Sequence, residues 1–310
     1  MNGKTRLVTL MRLHQHCPAQ VLTLLAICAI AFFLSQPARI ARSQTFDLRI
    51  QTTYMRNSVL RLQEWQENLF SKTMKLYRDV ETKAGTLIEP QGHRRFDLFS
   101  PFIDCPDGNR PVRFGASGDG GKLICEDILS GPDCIVYSLG SHGDFSFEME
   151  IIKRTSCRVV TFDCTVDAKP FDQRHTFVKK CLGSHERMQA NAGEWTTLTA
   201  AMQALGHTKI DLLKIDIEGS EYDVMEGWKK TDKLPRQVSI EIHYSGIYYG
   251  TSSYKNASDT SNLLWPLHEM KLSDLALFMV HLSQVGYGIV SREDNELAHH
   301  CSELTLLNVF

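Results

Sequence analysis

The chain has 310 residues, 34 Lys and Arg against 36 Asp and Glu, and a formal net charge of −2. That balance leaves no basic footprint for sequence-independent binding, so no nucleic-acid partner is expected. With 43% hydrophobic and 23% charged residues and nine cysteines, the chain is neither disordered, nor fibrous, nor a disulfide-built miniprotein.

Residues 1–20 contain Lys4, Arg6 and Arg12 and no acid, and read as a cytosolic tail. The apolar run Val21 to Leu34 follows, broken only by Thr23. It is short for a spanning helix, which needs about 17–25 residues, and reaches that length when its flanks are drawn into the interface. No small-x-small cleavage pair follows, so residues 21–38 predict an uncleaved signal anchor. A cleaved signal peptide and a buried helix are the alternatives. The anchor makes the chain a single-pass type II membrane protein of the ER or Golgi, with its bulk in the lumen; cleavage would make it secreted. Asn256-Ala-Ser258 is a glycosylation acceptor that agrees with a lumenal glycoprotein. Cys105, Cys125, Cys134, Cys157, Cys164, Cys181 and Cys301 follow the anchor, an odd number. Cys134, Cys157 and Cys164 lie in or beside expected core strands and are expected to be buried thiols rather than bridges.

Over residues 43–84 an apolar residue recurs every seven positions: Leu48, Met55, Leu62, Leu69 and Leu76. Thr52, Val59, Gln66, Thr73 and Val80 lie four residues later, the spacing of a coiled-coil seam. This predicts a helical stem that pairs two copies as a homodimer; a single amphipathic helix packed on the next domain is the alternative.

Residues 95–310 form the remaining domain. Val112-Arg-Phe114 and Lys122-Leu-Ile-Cys125 flank a glycine-rich turn, which predicts a hairpin. The turn is not a phosphate loop, because Ala116 and Leu123 stand where that motif needs Gly and Ser or Thr. A strand–helix alternation begins at Cys134-Ile-Val-Tyr-Ser-Leu139. Helices are expected at 145–154, 198–205, 221–228 and 272–282, and strands at 158–162, 176–181, 210–215, 237–242, 287–291 and 303–310. The alternation predicts an α/β, Rossmann-like, doubly wound and mostly parallel sheet, closed by a C-terminal antiparallel strand.

Ligands of such sheets sit beyond the carboxyl ends of the strands. Gly140-Ser-His-Gly143 follows the first strand, and Asp163 follows the second, at a distance suited to a ribose carboxylate. The second glycine of the dinucleotide pattern is missing, which argues against a pyrophosphate. S-adenosylmethionine carries a ribose and no phosphate, and fits better. In Leu213-Lys-Ile-Asp-Ile-Glu-Gly219, Lys214, Asp216 and Glu218 alternate with apolar residues, and Glu241 and His243 do so one strand over. Charge gathered at a sheet edge is poor for packing and suited to a site. A structural ion pair, such as Lys214 with Glu241, is the competing reading.

The segment Ile210-Asp-Leu-Leu-Lys-Ile-Asp-Ile-Glu-Gly219, with Ser239-Ile-Glu-Ile-His243, resembles the FkbM-type methyltransferases. The anchored layout, Tyr137-Ser-Leu-Gly140, Phe145-Ser-Phe-Glu148 and Glu303-Leu-Thr-Leu-Leu-Asn308 look closer to the animal methyltransferase-like protein 24 group. The resemblance implies a class I methyltransferase fold with S-adenosylmethionine as cofactor and a sugar-like or other small-molecule hydroxyl as acceptor. It implies cofactor contacts from Ser138, Gly140, Ser141, Gly143, Asp163 and Asp216. Ser138 stands where many class I enzymes have an acid. His243 or Glu241 would act as base while Asp216 and Glu218 orient the reactants. No metal site is expected; a divalent ion between Asp216 and Glu241 is a minor alternative. An inactive methyltransferase-fold binding protein and a lumenal glycosyltransferase are the competing functions, and the Tyr-rich stretch 245–266 is expected to select the acceptor.

Overall fold

A computed structural model describes residues 51–69, 71–73, 75, 92–118, 120–244, 270–296 and 298–310. The expected anchor at 21–38, both ends of the stem, Asn256 and the 245–266 stretch lie outside the described residues. Among the described residues no helix is long and apolar enough to cross a membrane. The chain divides into two units between Tyr54 and Met55, and the second, Met55–Phe310, carries the sheet and the helices packed on it.

Helix α1 covers the described residues up to 69, and Leu62, Trp65 and Leu69 on one face of it are buried. Trp65 stacks on Phe102 at 5.4 Å, and Gln66 donates to Ser283 Oγ at 2.9 Å. This part of the heptad seam packs on the domain's own core, the arrangement that a single amphipathic helix predicts.

Strands β1 (Val112–Phe114) and β2 (Lys122–Ile124) form the expected hairpin. Then come β3 (Ile135–Leu139), α2 (Ser146–Arg154), β4 (Arg158–Phe162) and β5 (His175–Val178). The strand expected at 176–181 is broken. Its last residue opens β6 (Cys181–Leu182), which leaves the main sheet to pair with β7 (Trp195–Thr196), on either side of α3 (His185–Ala190). Helix α4 (Leu198–Ala204), β8 (Leu212–Ile215), α5 (Glu221–Met225) and β9 (Gln237–His243) come next. After residue 270 come α6 (Leu272–Gln284), β10 (Tyr287–Asp294) and β11 (Cys301–Asn308).

The main sheet has seven strands in the order β10-β11-β9-β8-β3-β4-β5. The five from β9 to β5 are parallel, and β11 is antiparallel to both β9 and β10. β3 is buried at every position and β9 likewise, as strands covered by helices on both faces require. The order reverses between β3 and β8, which opens a crevice at their carboxyl ends. This is the class I methyltransferase arrangement that the resemblance implies.

The cysteines depart from expectation. Cys134 pairs with Cys157, Cys164 with Cys181 and Cys105 with Cys125, and Cys301 is the free, buried thiol among the described residues. Cys134 and Cys157 are buried as expected, but neither is a thiol. Each precedes a strand, and the parallel register Ile135↔Arg158 brings their Cα atoms to 4.4 Å. That proximity comes from strand pairing and leaves no trace in the sequence around either residue.

Candidate active site

The chain leaves β3 at Gly140 with φ +78°, and a Cβ there would lie 1.8 Å from the backbone oxygen of Asp216. Only glycine allows this contact between the β3 and β8 ends. Gly143 also has positive φ, and a Cβ there meets nothing within 4 Å, so the space over the loop is open. Asp163, at the end of β4, shapes the same loop. Its Oδ2 accepts from Ser141 N, Ser141 Oγ and His142 N at 2.8–2.9 Å, and Oδ1 accepts from Thr165 N and Oγ1. Burial opposes its charge, but these donors outweigh it and hold the carboxyl below its ordinary range. Asp163 is thus placed where a ribose is expected, with its lone pairs already engaged, so a ribose hydroxyl must exchange with one of these donors.

Ser138 is fully buried and donates to Glu148 Oε1 at 2.5 Å. Glu148 lies on α2, and its Oε2 is buried without a hydrogen-bond partner. Burial pushes its carboxyl up. An acid from the following helix thus lies behind Ser138 at the end of the first strand. The open loop and this buried acid fit the amino-acid end of S-adenosylmethionine.

The second half of the site lies one strand over. The β8–β9 register, Lys214↔Ser239 and Ile215↔Ile240, brings Asp216, just past the end of β8, beside Glu241, while Glu218 comes within 3.4 Å of His243 through a turn rather than by the expected strand alternation. Lys214 does not pair with Glu241; its ammonium donates to the Gly140 carbonyl. The cation among the acids is Lys122, 1% exposed, which donates to Asp216 Oδ2 at 3.1 Å and to Glu303. It arrives on β2, which is tied to the main sheet by Cys125 N donating to Gln237 Oε1 and Thr305 Oγ1 donating to the Leu123 carbonyl. Burial disfavours the Lys122 charge, yet Asp216, Glu303 and Glu241 raise its pKa. Burial likewise opposes ionisation of Asp216, but Lys122 and Lys214 hold its carboxyl well below the usual range. Glu241 is pushed up to about 9 by burial, Asp216 and Glu303, and Glu303 to about 7, chiefly by burial.

His243 is 5% exposed. Its Nδ1 lies 3.1 Å from Oε1 of the fully buried Glu221, and its Nε2 lies 3.4 Å from Glu218 and 3.9 Å from Glu241. Burial opposes its charge, but Glu221 raises its pKa well above the ordinary value. Glu218 has φ +57°, a strained conformation for a non-glycine residue, and its side chain is 51% exposed. A cavity of about 630 Å³ opens beside these groups, lined by Glu218, Glu241, His243, His300, Cys301 and Glu303 among others.

Sequence reasoning missed Lys122, Glu148, Glu221 and Glu303. Lys122 closes a glycine-rich turn that fails as a phosphate loop, and Glu148 and Glu303 stood only in the resemblance. Glu148 does carry a signal: it is an acid on the inner face of a helix whose buried residues are Phe147, Glu148, Ile151 and Ile152.

A family model described as a methyltransferase domain matches residues 64–307. The human probable methyltransferase-like protein 24 is 27% identical over 187 residues, 56% of this chain and 50% of that protein. The match thus spans half the length of that relative. Among solved structures, a 16S rRNA (adenine(1408)-N(1))-methyltransferase from Catenulisporales acidiphilia has 13% identity and a TM-score of 0.33, covering 64% of this chain and 98% of its own. Aeropyrum pernix fibrillarin with natively bound S-adenosylmethionine has 12% identity and a TM-score of 0.31, covering 73% and 92%. The family match sets aside the glycosyltransferase reading, and the chain belongs to the methyltransferase-domain family, an S-adenosylmethionine-dependent class of enzyme.

Proposed function

We propose that the chain methylates a hydroxyl of a carbohydrate-like or other small acceptor in the secretory lumen, with S-adenosylmethionine as donor. The observation that carries this reading is the placement of an open glycine loop at β3 against the Asp216 backbone, with an acid-lined cavity one strand over. S-adenosylmethionine supplies an electrophilic methyl group on its sulfonium. The Gly140–Gly143 loop and Glu148 hold its amino-acid part, and Asp163 orders that loop. Asp216 and Glu218 orient the acceptor so that its oxygen lies in line with the methyl. Bound S-adenosylmethionine would supply the methyl group, and Glu241, which lines the cavity, would take the proton that the acceptor hydroxyl gives up, acting in its ionised form. His243, whose Nδ1 is engaged by Glu221, is the second choice of base; burial and Asp216 favour the protonated form of Glu241 as Glu221 favours that of His243, so turnover is expected to rise with pH as the base loses its proton.

Three disulfides support an oxidising compartment, and the 21–38 segment supports an anchored lumenal domain. An FkbM-type affinity rests on the Ile210–Gly219 motif. Trp65 and Leu69 belong to the domain's own core, which supports a helix packed on the domain over this part of the stem rather than a homodimer seam.

The test is isothermal titration of the full chain with S-adenosylmethionine and S-adenosylhomocysteine, then methyl transfer from labelled donor to a panel of sugars and small alcohols. Binding of both ligands with labelled product is expected. No heat at millimolar ligand would instead support an inactive methyltransferase-fold binding protein. Full turnover by Glu241→Gln would sink the base assignment.

A further inference from the structure

Three groups of donors among the described residues are close enough to share an ion: Asp216, Glu241 and Glu303; Cys105, Cys125 and Asp127; and His243, His300 and Cys301. The first already holds a cation, the Lys122 ammonium. The second is spent, because Cys105 and Cys125 are joined as a disulfide. We infer that the third, His243 with His300 and Cys301, is a binding site for a soft divalent cation of the zinc type, on the wall of the acceptor cavity.

The fold brings these residues together from two chain segments. His243 ends β9 and Cys301 opens β11, and the two are direct register partners. His300 is anchored there because Tyr244 N donates to its carbonyl at 2.9 Å. One ligand atom from each of the three residues lies within 4.8 Å of the others. Tetrahedral zinc with bonds near 2.0–2.3 Å wants donors roughly 3.5 Å apart, so closing the site needs side-chain rotation of about 1 Å. Two imidazoles and a thiol are the donors that such an ion prefers over magnesium or calcium.

Three further observations point the same way. Glu221, fully buried, engages His243 through Nδ1, which leaves Nε2 facing the cavity. A carboxylate behind a ligating imidazole is the usual outer support of a metal site. Cys301 stays out of the disulfides, although the other six described cysteines pair. Finally, the donors line an open cavity, with Glu241 Oε2 at 3.9 Å from His243 Nε2, so a fourth position is open to Glu241, water or an acceptor oxygen. The ion would exchange with the proton on Cys301 and hold both imidazoles neutral.

The experiment uses the full chain, saturated with zinc, passed through a desalting column and assayed for metal by mass spectrometry. One zinc per chain is expected, and Cys301→Ser and His300→Ala should lose most of it while retaining S-adenosylmethionine binding by titration. Glu221→Gln should weaken zinc by about 10–100-fold. Substitution of the wild-type protein with cobalt should add a thiolate-to-metal charge-transfer band and the intense visible bands of a tetrahedral ion. That spectrum does not depend on any variant folding. Wild-type protein that keeps no zinc, shows no thiolate band with cobalt, or loses nothing on Cys301→Ser overturns the inference. The cofactor titration run in parallel separates that failure from a failure of the methyltransferase reading.

Discussion

At the β3–β4 end of the crevice one carboxylate, Asp163, is satisfied by three backbone N–H groups and two hydroxyls. At the β8–β11 end, Asp216 and Glu303 share the buried Lys122 ammonium, with Glu241 beside them and Lys214 adding its charge from the Gly140 side, and His243 leans on a buried Glu221. The first arrangement is local: its donors lie within about two dozen residues of the acid, and its geometry is that of a turn. The second gathers charge from five separate segments and leaves more acid than base in a low dielectric. A loop ordered by hydrogen bonds suits a cofactor of constant shape. A crowded, under-neutralised cluster suits a place where protons and ligands come and go.

Removing the shared cation should break the second region most severely. Lys122→Met leaves two part-buried acids with only the charge of Lys214 nearby and is expected to cost about 3 kcal/mol in urea unfolding. Gly140→Ala attacks the junction of the two regions. With φ at +78° and the Asp216 carbonyl in the way, a loss of about 3 kcal/mol and of S-adenosylmethionine binding by titration is expected.

Asp163→Asn tests the first region alone. Loss of charge-assisted acceptors should cost about 2 kcal/mol at neutral pH. The folded carboxyl titrates below its unfolded value, so its contribution is present above about pH 4 and fades as pH falls through the folded pKa. The gap between wild type and variant, followed by thermal melts, should therefore close in acid; a gap constant down to pH 3 would show that the charge contributes nothing. Glu218→Gln should be mildest. Its side chain is half exposed, so stability should change by less than about 0.5 kcal/mol while the KM for acceptor rises.

The legible parts of the site share one property: they sit at strand ends on a regular alternation. Glu241 and His243 stand on β9 with period two and Asp216 directly follows β8, so the β8–β9 pairing brings these three together, whereas Glu218 is reached through a turn with φ +57° that the period does not predict. Asp163 is legible as the acid after the second strand, but its saturation by the loop it shapes is not, since hydrogen bonds to N–H groups leave no side-chain signature. The split of the strand expected at 176–181 is hidden for a related reason. Which sheet a two-residue strand such as β6 joins is decided by neighbours far along the chain.

The amino-acid sequence by itself determined the α/β alternation, the position of the glycine loop and the acid-bearing strand ends, because each follows from local periodicity and backbone freedom. Only the tertiary structure decided which groups meet across those ends. Lys122 reaches Glu303 across 181 residues of sequence, Cys134 meets Cys157 through strand register, and Cys301 lies opposite His243 through an antiparallel pairing. Contacts of that kind depend on how strands are ordered in the sheet, and no local pattern carries that order.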